Sequence, residues 1–348
     1  MKNIMLNRMA NWMIYGANGY TGELIAREAV RRGQHPVLAG RSAERVEALA
    51  KELGCESRVF DLDRPDLTDI SLVLHCAGPF IHTSKPMVKA CLAAGAHYLD
   101  ITGEIAVFES VMRRDAEARE RGVALLPGVG FDVVPTDCLA AMLHKELPDA
   151  NELWLAFSMR NGSVSRGTLK TMLEGAGIGG AIRRNGKIEV VPHLFDVRSI
   201  DFPSGPRMAV TIPWGDVSTA FHTTGIPNIR VYSSQSPRAI ARMRWMRRVL
   251  PLLRIGLLRR LAQKYADRRT GPSAEQRAKA RIEIWGRVVN AKGKVVTKTM
   301  SVAEGYDFTV LSALAAVDRV LAAPRGGAFT PAKFFGAGFV TEIPGTEL

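Results

Sequence analysis

The sequence predicts an α/β fold, a doubly wound parallel sheet joined to a second α/β domain built on a mixed or antiparallel sheet. Three observations predict it. A glycine-spaced turn, Gly16-Ala17-Asn18-Gly19-Tyr20-Thr21-Gly22, joins a short apolar run to a helix-like one. Strand and helix signals then alternate as far as Leu126. Beyond Pro135 the alternation gives way to strand-like runs with few helices between them, which suits a mixed or antiparallel sheet.

Asn11 to Gly16 reads as the first strand. Gly19 to Gly33 reads as the helix after it, with Leu24, Ile25, Ala29 and Val30 on one side. The turn between them has G-x-x-G-x-x-G spacing. Its first glycine permits the tight turn, and its second lets backbone amides approach a pyrophosphate. The third lets helix and strand pack closely, and the helix N-terminus faces the anion. A tight turn without a ligand is the competing reading. The preceding strand and following helix favour a Rossmann nucleotide site, with Asn18, Tyr20 and Thr21 in the same cofactor-binding loop as Gly16, Gly19 and Gly22.

The second strand, His35 to Ala39, ends at Gly40-Arg41-Ser42. NAD sites place a carboxylate here for the ribose hydroxyls. A guanidinium pairs instead with a 2′-phosphate, which a carboxylate repels. Arg41 and Ser42 therefore point to NADP(H), against a solvated arginine beside the helix Ala43 to Leu53. Glu56 to Phe60 is a third strand, ending at Asp61 near the expected adenine. Ser71 to Cys76 is a fourth and Pro86 to Ala94 a helix. His97 to Ile101 is a fifth strand, followed by a charged helix through Arg121. Val123 to Leu126 is the sixth. Three sharp turns fall at strand carboxyl ends: Ala77-Gly78-Pro79-Phe80, Thr102-Gly103-Glu104 and Gly128-Val129-Gly130-Phe131. They are expected to converge on one crevice, with Ala77, Gly78, Pro79, Phe80 and Gly103 against the cofactor.

In the second domain Glu152 to Met159, Lys187 to Val191, Arg207 to Ile212, Asn228 to Ser233, Lys279 to Asn290 and Lys294 to Val302 read as strands. Gly305 to Leu321 reads as a helix packing back on the first domain. The expected division is residues 1–130 with 303–348, against 131–302.

The chain resembles the saccharopine dehydrogenase-like oxidoreductases, and most of all their bacterial trans-acting enoyl reductase branch. The resemblance rests on "YGANGYTG", "AGRS", "CAGPF", "HYLDITGE", "LPGVGFDVVPTD", "SRGTLKTMLEG", "TGIPNIRVY", "GPSAEQRAKARIEIWGRV" and "FTPAKFFGAGFV", which run from Tyr15 to Val340. It implies an NADP(H)-binding Rossmann domain with a second α/β domain inserted before the chain returns. It also implies reduction of a C=C bond in a hydrophobic or lipid-like enoyl substrate. Two alternatives stand beside that function. One is saccharopine-type C–N oxidoreduction of an amino acid or imine. The other is a non-catalytic NADP-binding adaptor.

A nicotinamide moves a hydride, and the protein positions it and supplies a proton donor or polarising group. Asp132 is the first candidate, after a glycine turn and before a helix. Tyr98 and Lys170 follow. Tyr98 and Asp100 alternate along the fifth strand, which offers one of them to the cofactor. Lys170 sits after "SRGT", where it binds a substrate oxygen or is simply solvated. Asp137 and Thr136 read as helix caps, and Glu104 reads equally as cap or functional group. The histidines lack metal-ligand spacing. The glycines are not followed by G-K-[ST], and no nucleophile elbow occurs.

The four cysteines, Cys55, Cys76, Cys91 and Cys138, form no CxxC pair, which suits a reducing cytosol. The start, "MKNIMLNRMANW", lacks a signal-peptide core. No apolar run reaches the roughly 18 residues that span a bilayer. The charge is uneven: Ser236 to Arg269 holds ten arginines and one lysine against one aspartate, hence +10 of the net +13. Leucines at helical spacing accompany these arginines, and Pro251 interrupts them. An anionic membrane surface, a lid over the substrate and a plain solvated helix compete to explain the segment. Specific nucleic-acid binding is not expected without a recognition motif. The expected placement is cytoplasmic or peripheral on a membrane, and a homodimer stays open.

Overall fold

The computed structural model describes residues 11–160, 167, 169, 179–246 and 271–348. Its first sheet is parallel and holds β1 (Trp12–Tyr15), β2 (Val37–Gly40), β3 (Ser57–Val59), β4 (Leu72–His75), β5 (His97–Asp100) and β6 (Ala124–Leu126). They lie in the order β6-β5-β4-β1-β2-β3. The order reverses between β1 and β4, the switch point where such sheets open a ligand crevice. Both strands are buried on both faces, which explains why "WMIY" and "LVLH" are apolar runs rather than alternating patterns.

The helices of this half are α1 (Tyr20–Arg31), α2 (Ala43–Leu53), α3 (Phe80–Ala94), α4 (Ile105–Met112) and α5 (Asp115–Glu120). Two differ from expectation. The charged helix before Arg121 divides in two around Arg113 and Arg114. Helix α3 starts six residues before Pro86, which therefore lies inside it. Its early start follows from an acceptor supplied from another turn, described below.

The second sheet is mixed. Its strands are β7 (Ala150–Arg160), β8 (Gly180–Arg184), β9 (Lys187–Val191), β10 (Val197–Phe202), β11 (Gly205–Thr211), β12 (Asn228–Ser234), β13 (Arg281–Asn290) and β14 (Val295–Ala303). β12 and β7 run parallel, while β7, β13 and β14 pair antiparallel. β8 and β10, absent from the sequence reading, are the first arms of hairpins. The β8–β9 turn is Asn185-Gly186, both at positive φ (49° and 75°), the conformation that a two-residue hairpin turn favours.

Helices α6 (Val134–Glu146) and α7 (Asp216–Thr224) cover one face of this sheet. A Cβ on Gly286 of β13 would stand 2.7 Å from Leu143 and 2.9 Å from Leu139 of α6, so this glycine lets helix and strand approach. Further along lie α8 (Pro237–Met246), α9 (Ala274–Ala278), α10 (Gly305–Ala322), the short β15 (Gly327–Ala328) and α11 (Pro331–Phe335). Helix α10 packs on α1, and β15 adds a parallel strand beside β6. The chain then leaves the first sheet, since Glu347 exchanges two backbone hydrogen bonds with Ser301 of β14, each 2.8 Å. The segment 303–348 thus serves both sheets. One apolar core, with Ile14 and Leu74 of the first sheet and Leu155 and Ile284 of the second, joins the halves.

Candidate active site

The carboxyl ends of β1, β2 and β4 meet at the glycine turn. Gly16 has φ +87°, and a Cβ there would lie 2.8 Å from the Ala77 nitrogen. A Cβ at Gly22 would fall 2.3 Å from the Gly16 carbonyl oxygen. Gly19, the residue preceding α1, is extended, and no side chain caps the helix. Its first-turn residues Tyr20, Thr21 and Gly22 therefore present backbone amides at the positive end of the helix dipole. Asn18 turns its amide toward Gly40, where a Cβ would meet Oδ1 at 2.9 Å. The loop is a cradle shaped for a pyrophosphate.

Arg41 follows β2 and is exposed, and no carboxylate among the described residues pairs with it. Ser42 precedes α2 and accepts from Arg45 at 3.3 Å. Asp61 is exposed too, its carboxylate turned onto the Leu62 amide at 2.6 Å. Arg41 and Asp61 flank the Tyr15 hydroxyl. Burial lifts that phenol to about 12, Asp61 adds to the rise and Arg41 opposes it. Expected adenine and 2′-phosphate contacts thus share one end of the sheet.

The other expected turns meet as well. A Cβ on Gly103 would lie 2.6 Å from Oδ2 of Asp132, so the turn after β5 abuts the turn after β6. Glu104 precedes α4 yet does not cap it. Its Oε1 accepts from the Phe80 amide at 2.7 Å and its Oε2 from the Ile81 amide at 2.8 Å. This carboxylate satisfies the first turn of α3, which is why that helix begins at Phe80. The turn Ala77-Gly78-Pro79-Phe80 is thereby tied to Thr102-Gly103-Glu104.

Asp132 is half-buried at the crevice, and no described residue donates a hydrogen bond to it. Burial raises its carboxyl to about 7, and the charge of Glu104 adds to the rise. It is not a helix cap, because Val133 precedes α6. Next to it Phe131 packs edge-on against Phe157 of β7 (6.0 Å between centroids), and Phe157 against Trp214 (4.8 Å). Trp214 is partly exposed, and a Cβ on the following Gly215 would stand 3.3 Å from the Gly103 carbonyl oxygen. Phe131 and Phe157 belong to the core that joins the two sheets, and Trp214 stands partly exposed at its edge.

Tyr98 is corrected. Tyr98 and Asp100 stand two apart on β5 and so share a face. Tyr98 lies in the core with no exposed surface, its hydroxyl donating to Asp100 Oδ2 at 2.6 Å. Burial, then Asp100, holds the phenol far above its ordinary range. Asp100 also accepts from the amides of Thr102 (3.0 Å) and Gly128 (2.8 Å), so it braces two site turns from beneath. Asp137 and Thr136 are not caps either. Asp137 accepts from Thr223 and from the Ala332 amide, while Thr136 donates to Asp216. Lys170 lies outside the described residues, as does 247–269 of the basic segment. Among the described residues no cluster of histidine, cysteine or acid could hold a metal ion.

Two contributions were not read from the sequence. Arg277 of α9 donates to the Tyr20 hydroxyl at 2.9 Å and to Asp307 at 2.7 Å, and that hydroxyl donates to the Pro272 carbonyl at 2.6 Å. The second domain therefore grips the glycine loop. Their sequence signal, "GPSAEQR", carries no spacing rule. Trp214 and Gly215 were missed because a lone tryptophan between strand and helix carries no motif.

Comparison with known proteins agrees with this geometry. Residues 12–126 match the saccharopine dehydrogenase NADP binding domain. The first domain is thus similar to that NADP-binding domain over residues 12–126. Over 183 residues the chain is 30% identical to a trans-acting enoyl reductase of Mycobacterium tuberculosis, covering 47% of this chain and 43% of that protein. It is 27% identical over 202 residues to the saccharopine dehydrogenase-like oxidoreductase of Rattus norvegicus, 49% of this chain and 47% of that protein. The match thus spans under half the length of these curated relatives. The whole fold is similar to apo saccharopine dehydrogenase (L-Glu forming) of Saccharomyces cerevisiae, with TM-score 0.65 and 11% identity over 96% of this chain and 95% of that one. The expected fold class holds, and the cofactor of this NADP-binding domain is NADP(H). The glycine cradle, the N-terminus of α1 and the exposed Arg41 fit such a cofactor.

Proposed function

We propose that this oxidoreductase uses NADPH to reduce a C=C bond of a hydrophobic, lipid-like enoyl substrate, with Asp132 as proton donor. The carrying observation is Asp132 itself, a partly accessible carboxyl on the turn after β6 that abuts the turn after β5. When bound, the nicotinamide supplies a hydride to one carbon of the double bond. The α1 amides hold the pyrophosphate and Arg41 the 2′-phosphate. Trp214, partly exposed and backed by the buried Phe157, offers the apolar substrate a surface. The Asp132 O–H bond breaks as the other carbon takes its proton, and solvent reprotonates the carboxylate. The trans-acting enoyl reductase relative supports this choice of substrate.

The saccharopine-type C–N reaction remains the rival, supported by the rat relative's name and by the family of the first domain. NADPH oxidation with a fatty enoyl panel and, separately, an oxo-acid and amino-acid panel tests the two. Turnover of enoyl substrates alone supports the proposal. Turnover of the second panel alone favours the rival, and tight NADPH binding with neither favours the adaptor.

For the basic segment, an anionic membrane surface is the favoured partner. Helix α8 anchors on the second sheet through Ile240 (5% exposed) and turns Trp245 outward (65% exposed), on a helix that also exposes Arg242 and Arg244. A tryptophan among arginines suits a lipid headgroup layer. No helix among the described residues is long and apolar enough to cross a membrane.

A further inference from the structure

Two carboxyl groups stand on turns that abut at Gly103, and their surroundings differ. Glu104 takes a backbone amide on each oxygen, both from the first turn of a 15-residue helix. Amide donors and the positive end of a helix dipole favour an ionised carboxylate. Asp132 accepts from no donor among the described residues and stands against the turn at Gly103. Gly103, the residue before Glu104, lets Asp132 approach, since its missing Cβ would stand 2.6 Å from Oδ2.

We infer that Glu104 is a positioning residue which assigns the acid role: Glu104 stays ionised on the α3 terminus, and Asp132 beside it carries the proton. The inference rests on the reading of Asp132 as proton donor and adds what makes it one. Like charges close together in a partly desolvated crevice do not both ionise readily, so the carboxyl lacking donors keeps its proton. The rise of Asp132 to about 7, from burial first and Glu104 second, agrees with this geometry. Other ionisable groups on the surrounding elements are engaged. Asp100 faces Tyr98 and the Thr102 and Gly128 amides, Asp216 faces Thr136 and Thr219, and Asp307 faces Arg277. His82 shares the first turn of α3 with Ile81.

The same arrangement explains why two turns are held so firmly. Withdrawing Glu104 would free the α3 amides and remove the charge beside Asp132 in one step. A merely structural Glu104 would do only the first. Glutamine removes the charge and keeps one of the two amide bonds, since only its carbonyl oxygen accepts, so the titration of the unaltered protein is the primary test.

The test is carboxyl titration by carbon-13 NMR on the full chain labelled at Asp and Glu. In the unaltered protein, Asp132 is expected to titrate near neutrality while Glu104 is already ionised throughout that range. Glu104 titrating above Asp132 would overturn the inference, and this measurement needs no variant. In Glu104→Gln, the Asp132 midpoint should fall by about one pH unit or more. An unmoved midpoint in the folded variant would equally overturn it. Enzymatic pH profiles separate this from the underlying function. Asp132→Asn should lose the alkaline limb of kcat/KM, and Glu104→Gln should shift that limb downward. A limb retained in Asp132→Asn refutes Asp132 as donor. A limb lost there but unmoved in Glu104→Gln refutes the role of Glu104 alone.

Discussion

A Cβ at Gly22 would stand 2.3 Å from the Gly16 carbonyl oxygen, whereas one at Gly19 would meet only that oxygen, at 3.2 Å. The two glycines therefore serve different ends. Gly22 closes the strand–helix junction, and Gly19 leaves room above the α1 amides. Gly22→Ala should destabilise the fold by about 1–3 kcal/mol through overpacking against backbone. Gly19→Val should leave melting almost unchanged yet weaken NADPH binding by roughly 3 kcal/mol, through lost access to charged hydrogen bonds. Calorimetry on both variants checks this, and unchanged NADPH affinity in Gly19→Val would make the loop a turn only.

Arg41 stands exposed at the end of β2, with no acid paired to it among the described residues. Arg41→Ala should weaken NADPH by about 1.5–3 kcal/mol, the worth of a charged hydrogen bond, and leave NADH nearly unaffected. Equal affinity of the native protein for both dinucleotides would contradict the 2′-phosphate role.

Much of this was legible in the sequence because it depends on local rules. "YGANGYTG" encodes its turn through glycine conformation and close approach, and α2 has the bounds Ala43–Leu53 that its pattern predicts. Sheet burial was legible in continuous apolar runs. What stayed hidden depends on partners far along the chain. Glu104 looks like a cap for its own helix but caps α3, 24 residues back. Tyr98 looked available only until its strand face was fixed by Asp100. Arg277 reaches Tyr20 across 257 residues, a contact no spacing rule anticipates.

The two halves are also joined by a charged clasp. Arg183 of β8, 5% exposed, donates to Glu109 of α4 at 2.8 Å and lies 4.1 Å from the Phe221 ring. Its other donors reach the Val217 and Gly186 carbonyls. Glu109→Ala would leave a buried guanidinium without its carboxylate. The expected loss is about 2–4 kcal/mol, toward the lower part of the range for a broken buried pair because Glu109 is partly exposed. Thermal unfolding measures it, and a wild-type midpoint would show the clasp to be dispensable.

Asp132 should also imprint its position on stability. Its folded value of about 7 exceeds the unfolded value near 4. The folded state therefore binds the proton more tightly, and stability falls as pH rises from about 4 to 7, then levels off. Asp132→Asn removes that loss. The variant should match the native protein near pH 4 and exceed it by about 2–4 kcal/mol at pH 8. A difference that does not vary with pH would place Asp132 in an ordinary solvated setting.

Trp245 provides the membrane test. The full chain should cosediment with vesicles containing anionic lipid, less so at high salt, and not with purely zwitterionic vesicles. Trp245→Ser should weaken that binding by about 1.5–3 kcal/mol, the worth of burying a large side chain. Absence of sedimentation at low salt would return the segment to lid or solvated helix.

The central claim is proton donation by Asp132 during NADPH-dependent reduction of an enoyl substrate. Single-turnover NADPH oxidation with a saturating enoyl substrate, comparing native protein and Asp132→Asn, tests it most directly. The expected outcome is a rate lower by roughly 10²–10⁴-fold in the variant, with NADPH affinity intact. A near-native rate in Asp132→Asn would contradict the claim.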